Sequence, residues 1–140
     1  MKTSFPKPSA PQWYVVDAAD RVLGRLSTSI ATVLRGRHRA NFVPHIMCPD
    51  HVIVINADKI KVTGNKAKQK TYYRHTGWLG HLRTTTFDKL MEKDPSRVIV
   101  HAVKGMLPKN ASRQHILKHL HIYSGSTHEH QAQQPAPFPL

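Results

Sequence analysis

Four β-branched residues in a row, Val52-Ile53-Val54-Ile55, leave this chain few architectures to choose from. A strand with one face in water alternates apolar with polar residues. An unbroken apolar run is the pattern of a strand covered on both faces, the usual condition in parallel sheets. Upstream, Trp13-Tyr14-Val15-Val16-Asp17 is a second β-branched and aromatic run. Between the two, Leu23, Leu26, Ile30, Val33 and Leu34 fall on one stripe at helical spacing. Gly36 stands where a left-handed helix C-terminus would be. Strand, helix and buried strand together predict a parallel α/β unit.

The remainder of the chain divides around that unit. Residues 1–12 contain Pro6, Pro8 and Pro11 and read as an extended arm. Residues 13–123 read as one α/β domain, and 124–140, with Pro135, Pro137 and Pro139, as a polar tail. Lys59, Lys61 and Thr63 alternate with Ile60 and Val62, the pattern of a half-exposed strand with its cations outward. Gly64-Asn65 is a turn, and Gly77 and Gly80 enclose Trp78-Leu79 in a flexible or closely approached loop. Thr85-Thr86-Phe87-Asp88 resembles a capping signal, and Asp94-Pro95 is a stronger helix start. Val98, Ile99, Ala102, Val103 and Met106 form the apolar stripe of that helix. Gly105 implies a close backbone approach. Asn110 or Ser112 caps a last helix carrying Ile116, Leu117 and Leu120, and His121-Ile122-Tyr123 is a short extended piece.

Charge narrows the function. In 140 residues, 21 Lys and Arg face 8 Asp and Glu, a formal net charge of +13. No acid occurs from Arg21 to Pro49, from Lys59 to Phe87, or from Pro95 to His128, and these spans hold 17 of the 21 cations. One solvated basic face would need one such span, so three point to a polyanionic partner. A membrane surface would call for a single basic amphipathic helix, and no apolar run is long enough to cross a bilayer. The opening residues lack an apolar signal core, and the lone Cys48 precludes an internal disulfide and fits a reducing compartment.

Enzyme signatures are sparse. Gly64-Asn65-Lys66 lacks the frame of a phosphate loop, and no G-x-G-x-x-G follows the first strand. Asp17 and Asp58, near strand ends, read as turn caps or partners of nearby Arg rather than as acids of catalysis. His115, His119 and His121 are closely spaced, but without the ligand pattern of a zinc site, so neither metal nor cofactor is expected. Cys48 reads as a small buried residue. The strongest local signal interleaves Lys66, Lys68, Lys70, Tyr72, Tyr73, Arg74, His75 and Trp78: cations for phosphates, rings for unpaired bases. One of the two adjacent tyrosines belongs to the core and the other to the surface. The residues alone thus describe an RNA- or DNA-binding α/β domain.

A family pattern sharpens this. Val103-Lys104-Gly105-Met106-Leu107-Pro108-Lys109-Asn110, followed by Leu120-His121-Ile122-Tyr123-Ser124-Gly125, strongly resembles the signature of the thirteenth family of large-subunit ribosomal proteins. Trp13–Ala18, Leu34–His38, Val62–Lys66 and Tyr72–His75 look like further blocks in the same order, and His128–Pro135 resembles the bacterial-type ending. Met47-Cys48-Pro49-Asp50 departs from the glycine-aspartate turn common in the family. The resemblance implies a three-layer α/β/α domain around a small, mostly parallel sheet. It also implies a non-enzymatic constituent of the large subunit that binds its RNA, touches neighbouring ribosomal proteins and supports early assembly. No membrane or small-molecule substrate is implied. The implied location is a ribosome, cytoplasmic or organellar. Expected RNA contacts are Arg35, Arg37, His38, Arg39, Lys59, Lys61, Lys66, Lys68, Lys70, Tyr72, Arg74, His75, Lys104, Lys109, Arg113 and His115. The alternative from another class is a basic nucleic-acid-processing enzyme, which turnover of labelled RNA with a divalent metal would reveal.

Overall fold

The computed structural model describes residues 10–138, so most of the arm expected over 1–12 lies outside the described residues. In chain order the elements are β1 (Trp13–Asp17), α1 (Leu23–Leu34), β2 (His51–Ile55), a 3-10 turn (Ala57–Lys59), α2 (Lys66–Gln69), β3 (Thr71–His75) and β4 (Leu82–Thr86). They continue with α3 (Phe87–Lys93), α4 (Pro95–Met106), α5 (Ser112–Leu117), β5 (Leu120–Ile122) and β6 (Ala136–Pro137). The main sheet has the order β5-β2-β1-β6 and is parallel throughout. β3 and β4 form a separate antiparallel hairpin. The layered α/β architecture with a parallel sheet is the one read from the sequence.

β2 is central because its apolar run demands it. Val52, Ile53 and Val54 are all sealed from solvent. Val52 and Val54 join Val16 of β1, Leu26, Ile30 and Leu34 of α1, and Val98, Ile99 and Val103 of α4 in one core. Truncating a fully buried member such as Ile30 would cost about 2–5 kcal/mol. Ile53 points to the opposite face, which it shares through the strand register with Trp13, Val15, His51 and His121. The chain after β5 returns across that face and ends beside β1, where Phe138 N–H donates to Val15 O at 3.3 Å. The polar tail expected from Ser124 therefore contributes β6, an edge strand of the main sheet.

Three local expectations are corrected. Lys59–Thr63 is not a strand. Lys59 ends the 3-10 turn, and Lys61 makes one isolated bridge with Val22 while Ile60 turns into the core. Met106 is not on the buried stripe: it is 44% exposed, and Leu107, at 3%, is the buried residue. The helix ends at Met106, and Leu107 takes extended backbone angles, so the 3.6-residue period no longer decides which side chain turns inward. Gly105 meets no close backbone, since a Cβ there would have nothing within 4 Å. Asp94 precedes Pro95 at the start of α4 as expected, and Asn110 Oδ1 accepts from Arg113 N–H at 3.2 Å at the start of α5.

Candidate nucleic-acid interface

The basic string after α1 is organised by one buried acid. Asp50, immediately before β2, is wholly inaccessible. Arg39 grips its carboxylate with Nε to Oδ2 at 2.7 Å and a second bond from Nη2 to Oδ1. Gln12 N–H and the Cys48 thiol donate to it as well, at 3.0 and 3.1 Å, and His38 Nε2 lies 3.1 Å away. Burial pushes the Asp50 carboxyl up, but the bonds from Arg39, Cys48 and Gln12 outweigh it and hold the group below the usual carboxylate range. Burial also pushes the Cys48 thiol up to about 11, which leaves it un-ionised and unreactive at neutral pH. Gly36 closes the loop at φ +81, and a Cβ there would meet Cys48 Cβ at 3.0 Å. Arg39 and His38, both expected at RNA, are thus committed to the fold, with side chains 16% and 18% exposed.

The other cations fall into three neighbourhoods. Arg35 lines a groove with His45, Met47, Pro108, Asn110 and Ser112, which brings the end of α1 against the connection from α4 to α5. Arg37, Lys104, Lys109 and His115 are exposed, and Arg113 is half-buried. Beside the start of α1, Arg21 and Arg25 line a second groove. Lys61 N–H donates to Arg21 O at 2.9 Å and Asp20 N–H to Lys59 O at 3.2 Å, so four cations meet there. Lys61 Nζ is already paired with Asp20 at 2.6 Å. Arg21 and Arg25 stood outside the expected contacts: Arg21 precedes α1, and only the folded turn brings the two to one groove.

The third neighbourhood is α2 and the hairpin. Lys66, Lys68, Arg74 and His75 are exposed, and Lys70 Nζ sits 5.4 Å from the Tyr72 ring centroid. Tyr72 packs against the core and meets His101 edge-on, with ring centroids 5.4 Å apart. Tyr73 is 63% exposed. Of the two adjacent tyrosines, Tyr73 is therefore the surface ring and Tyr72 the one packed on the core. Arg83 and Trp78 complete this surface; Trp78 belongs to the interleaved run singled out in the sequence, and Arg83 does not.

Histidines gather elsewhere. His51, His119, His121 and His130 converge with Trp13 on the sheet face under the returning tail. Trp13 stacks on His51 with centroids 4.1 Å apart, and His51 stacks on His119 at 4.4 Å. His115 stands exposed and apart from them. Among the described residues no group of three or more His, Cys, Asp or Glu side chains is placed to hold a metal ion. Asp17 accepts from Asn56 Nδ2 and Ala19 N–H, both at 2.9 Å, as a turn cap. No described helix is long and apolar enough to cross a membrane.

Comparison with known proteins bears on this arrangement. The family described as Ribosomal protein L13 matches residues 11–129. The large ribosomal subunit protein uL13 of Lawsonia intracellularis is 51% identical over 142 aligned residues, covering 100% of this chain and 99% of its own. That of Acidithiobacillus ferrooxidans is 53% identical, with 98% of each chain covered. The Streptomyces avermitilis protein of the same name is 49% identical over 100% of this chain and 97% of its own. These relatives are bacterial and carry the names of ribosomal proteins, not of enzymes. Full-length identity near one half, together with a parallel α/β core and a net charge of +13, makes this chain a member of the ribosomal protein L13 family, of bacterial type.

Proposed function

We propose that this protein is a structural constituent of the large ribosomal subunit, that it binds large-subunit ribosomal RNA, and that it supports early assembly of the subunit. The observation that carries this reading is the imbalance left at the surface. Among the described residues, Arg39, Lys61 and Arg97 are the Lys and Arg side chains paired with a carboxylate, and the remaining cations face solvent or line grooves. The names of the relatives support the subunit.

The mechanism is physical. Arg35 and Arg37 at one end of α1, Arg21, Arg25 and Lys59 at the other, and Lys66, Lys68 and Arg74 on the hairpin side offset phosphate repulsion between RNA segments. Lys104 and Lys109 extend the first of these surfaces. The parallel sheet holds the three groups at fixed separations, so the RNA segments they engage are held in a fixed relation. The domain of residues 13–123 carries these contacts, and neighbouring ribosomal proteins meet what RNA leaves open. Filter binding of the full chain to a large-subunit rRNA transcript across a salt series tests the reading. The log of affinity is expected to fall linearly with log salt, with a slope of about 0.7–0.9 per phosphate neutralised. A flat salt response, or equal affinity for an uncharged polymer, overturns it.

A further inference from the structure

The β3–β4 hairpin carries a feature that its own stability opposes. Strand register places Arg74 directly opposite Arg83. Like charges facing each other across an antiparallel pair are destabilising. Among the described residues neither arginine has an acidic partner. The pair lies on the same face of the hairpin as Tyr72, one step further from the body, beyond the point where Tyr72 meets the core. The hairpin tip then carries the two most exposed large apolar side chains among the described residues: Trp78 at 75% and Leu79 at 99%.

The tip is a built turn. Gly77 and Gly80 take φ of +100 and +74, the left-handed region that glycine enters freely. His75 Nδ1 accepts from Gly77 N–H at 3.0 Å, and His81 N–H donates to Trp78 O at 3.2 Å. An exposed indole on a hydrogen-bonded turn, beyond two arginines set opposite each other in the register, calls for an anion and a flat ring in the same partner. An RNA strand with an unpaired base supplies both.

We propose that the hairpin grips single-stranded RNA, with one phosphodiester held between Arg74 and Arg83 and Trp78 stacked on an unpaired base. This rests on the RNA-binding reading above and assigns a specific arm to it. One phosphate shared by two forks neutralises the repulsion that the free hairpin bears, so the two arginines act as a unit toward RNA.

The test uses the full chain with a large-subunit rRNA transcript and with a ten-nucleotide oligouridylate. Arg74→Ala and Arg83→Ala are each expected to weaken binding about tenfold, and the double variant by little more than either single change. The salt slope falls by about 0.7 in all three, the value for one phosphate on a single strand. Arg83→Thr is expected to raise the melting temperature of the free protein. RNA is expected to quench tryptophan emission in the wild type and not in Trp78→Phe. Several results overturn the proposal while leaving the RNA-binding reading intact. One is rRNA binding that the arginine changes do not touch. Another is strictly additive losses, which make the arginines two separate contacts. A third is a Trp78 unquenched by RNA but shielded from acrylamide in assembled subunits, which gives the tip to a protein neighbour. A wild-type chain that binds no rRNA overturns both.

Discussion

Acid is expected to unfasten the histidine face of the sheet before it touches the carboxylates. His51 lies between Trp13 and His119, with its Nδ1 3.3 Å from His121 Nε2. Burial, and then the neighbouring charges of His119, His121 and His130, push its pKa down to about 4, while Asp50 pulls the other way. In the unfolded chain the same ring titrates near the usual value of about 6.5. Between those values the unfolded chain binds the extra proton, so this group's contribution to stability is whole above pH 6.5 and is lost as pH falls toward 4. From pH 7.5 to pH 5 the full shift corresponds to about 2 kcal/mol. The ring edge is open to water, and screening reduces that to about 1 kcal/mol. For a chain of this size the loss is about 3–5 °C in melting temperature.

The assay is thermal melting of the full chain at those two pH values, in wild type and His51→Phe. Phenylalanine keeps the stacked ring and removes the proton. The drop in Tm between the two pH values is expected to be about 3–5 °C smaller in the variant. His121 and His38 are also held below the usual histidine range, burial being the first cause in each, so part of the drop remains. Asp17, Asp20 and Asp50 are lowered from the carboxylate range and lose their contribution only below it, outside this window. Trp13 emission in a Trp78→Phe background reports the folded-state proton instead: since a protonated imidazole quenches a stacked indole, it is expected to hold through this window and fall only as pH approaches 4. An equal pH-dependent drop in wild type and His51→Phe refutes the assignment.

Two further outcomes follow from where the side chains lie. Met106→Ala is expected to cost about 1 kcal/mol because the side chain is 44% exposed and lies outside the buried core, while Leu107→Ala costs about 2–5 kcal/mol; reversed values in chemical denaturation would restore the helical stripe as the better guide. Arg37→Ala is expected to weaken rRNA binding without changing Tm. Arg39→Ala costs about 3–5 kcal/mol of stability by stranding the buried Asp50 charge, and equal melting curves for the two variants would remove Arg39 from the fold.

What the sequence made legible was whatever burial imposes as a period. β1, α1 and β2 were readable because a β-branched and aromatic run gives way to 3.6-residue apolar spacing and then to an unbroken apolar run, and the start of α4 was readable from Asp94-Pro95. β4 was silent because Leu-Arg-Thr-Thr-Thr lies mostly in solvent and carries no alternation to detect. The false strand at Lys59–Thr63 arose because Ile60 and Val62 reach the core from a turn and a single bridge, which mimic period two. The histidine stack was invisible because it depends on register: Trp13 pairs with His51, and Ile53 with His121, across strands far apart in sequence. Among the candidate residues, the abundance of exposed cations was readable as a class. Which of them the fold had already claimed was not, because Asp50 is eleven residues from Arg39 and nothing local announces the pairing.

That last distinction reaches beyond one residue. A chain with a net charge of +13 has few carboxylates with which to specify its own fold. Asp50 anchors the loop after α1, Asp20 holds Lys61 beside the start of α1, Asp94 pairs with Arg97 in the first turn of α4, and Asp17 caps the turn after β1. Acids placed in this way organise the backbone and leave most of the described cations without a carboxylate partner. The free protein bears the resulting repulsion, most directly where the hairpin register sets Arg74 opposite Arg83. Moderate salt should therefore stabilise the free protein by screening that repulsion, at the same time as it weakens binding to RNA. Opposite responses to one ion concentration are what a surface built for a polyanion implies. A surface whose charges were balanced in the free fold would lose both together.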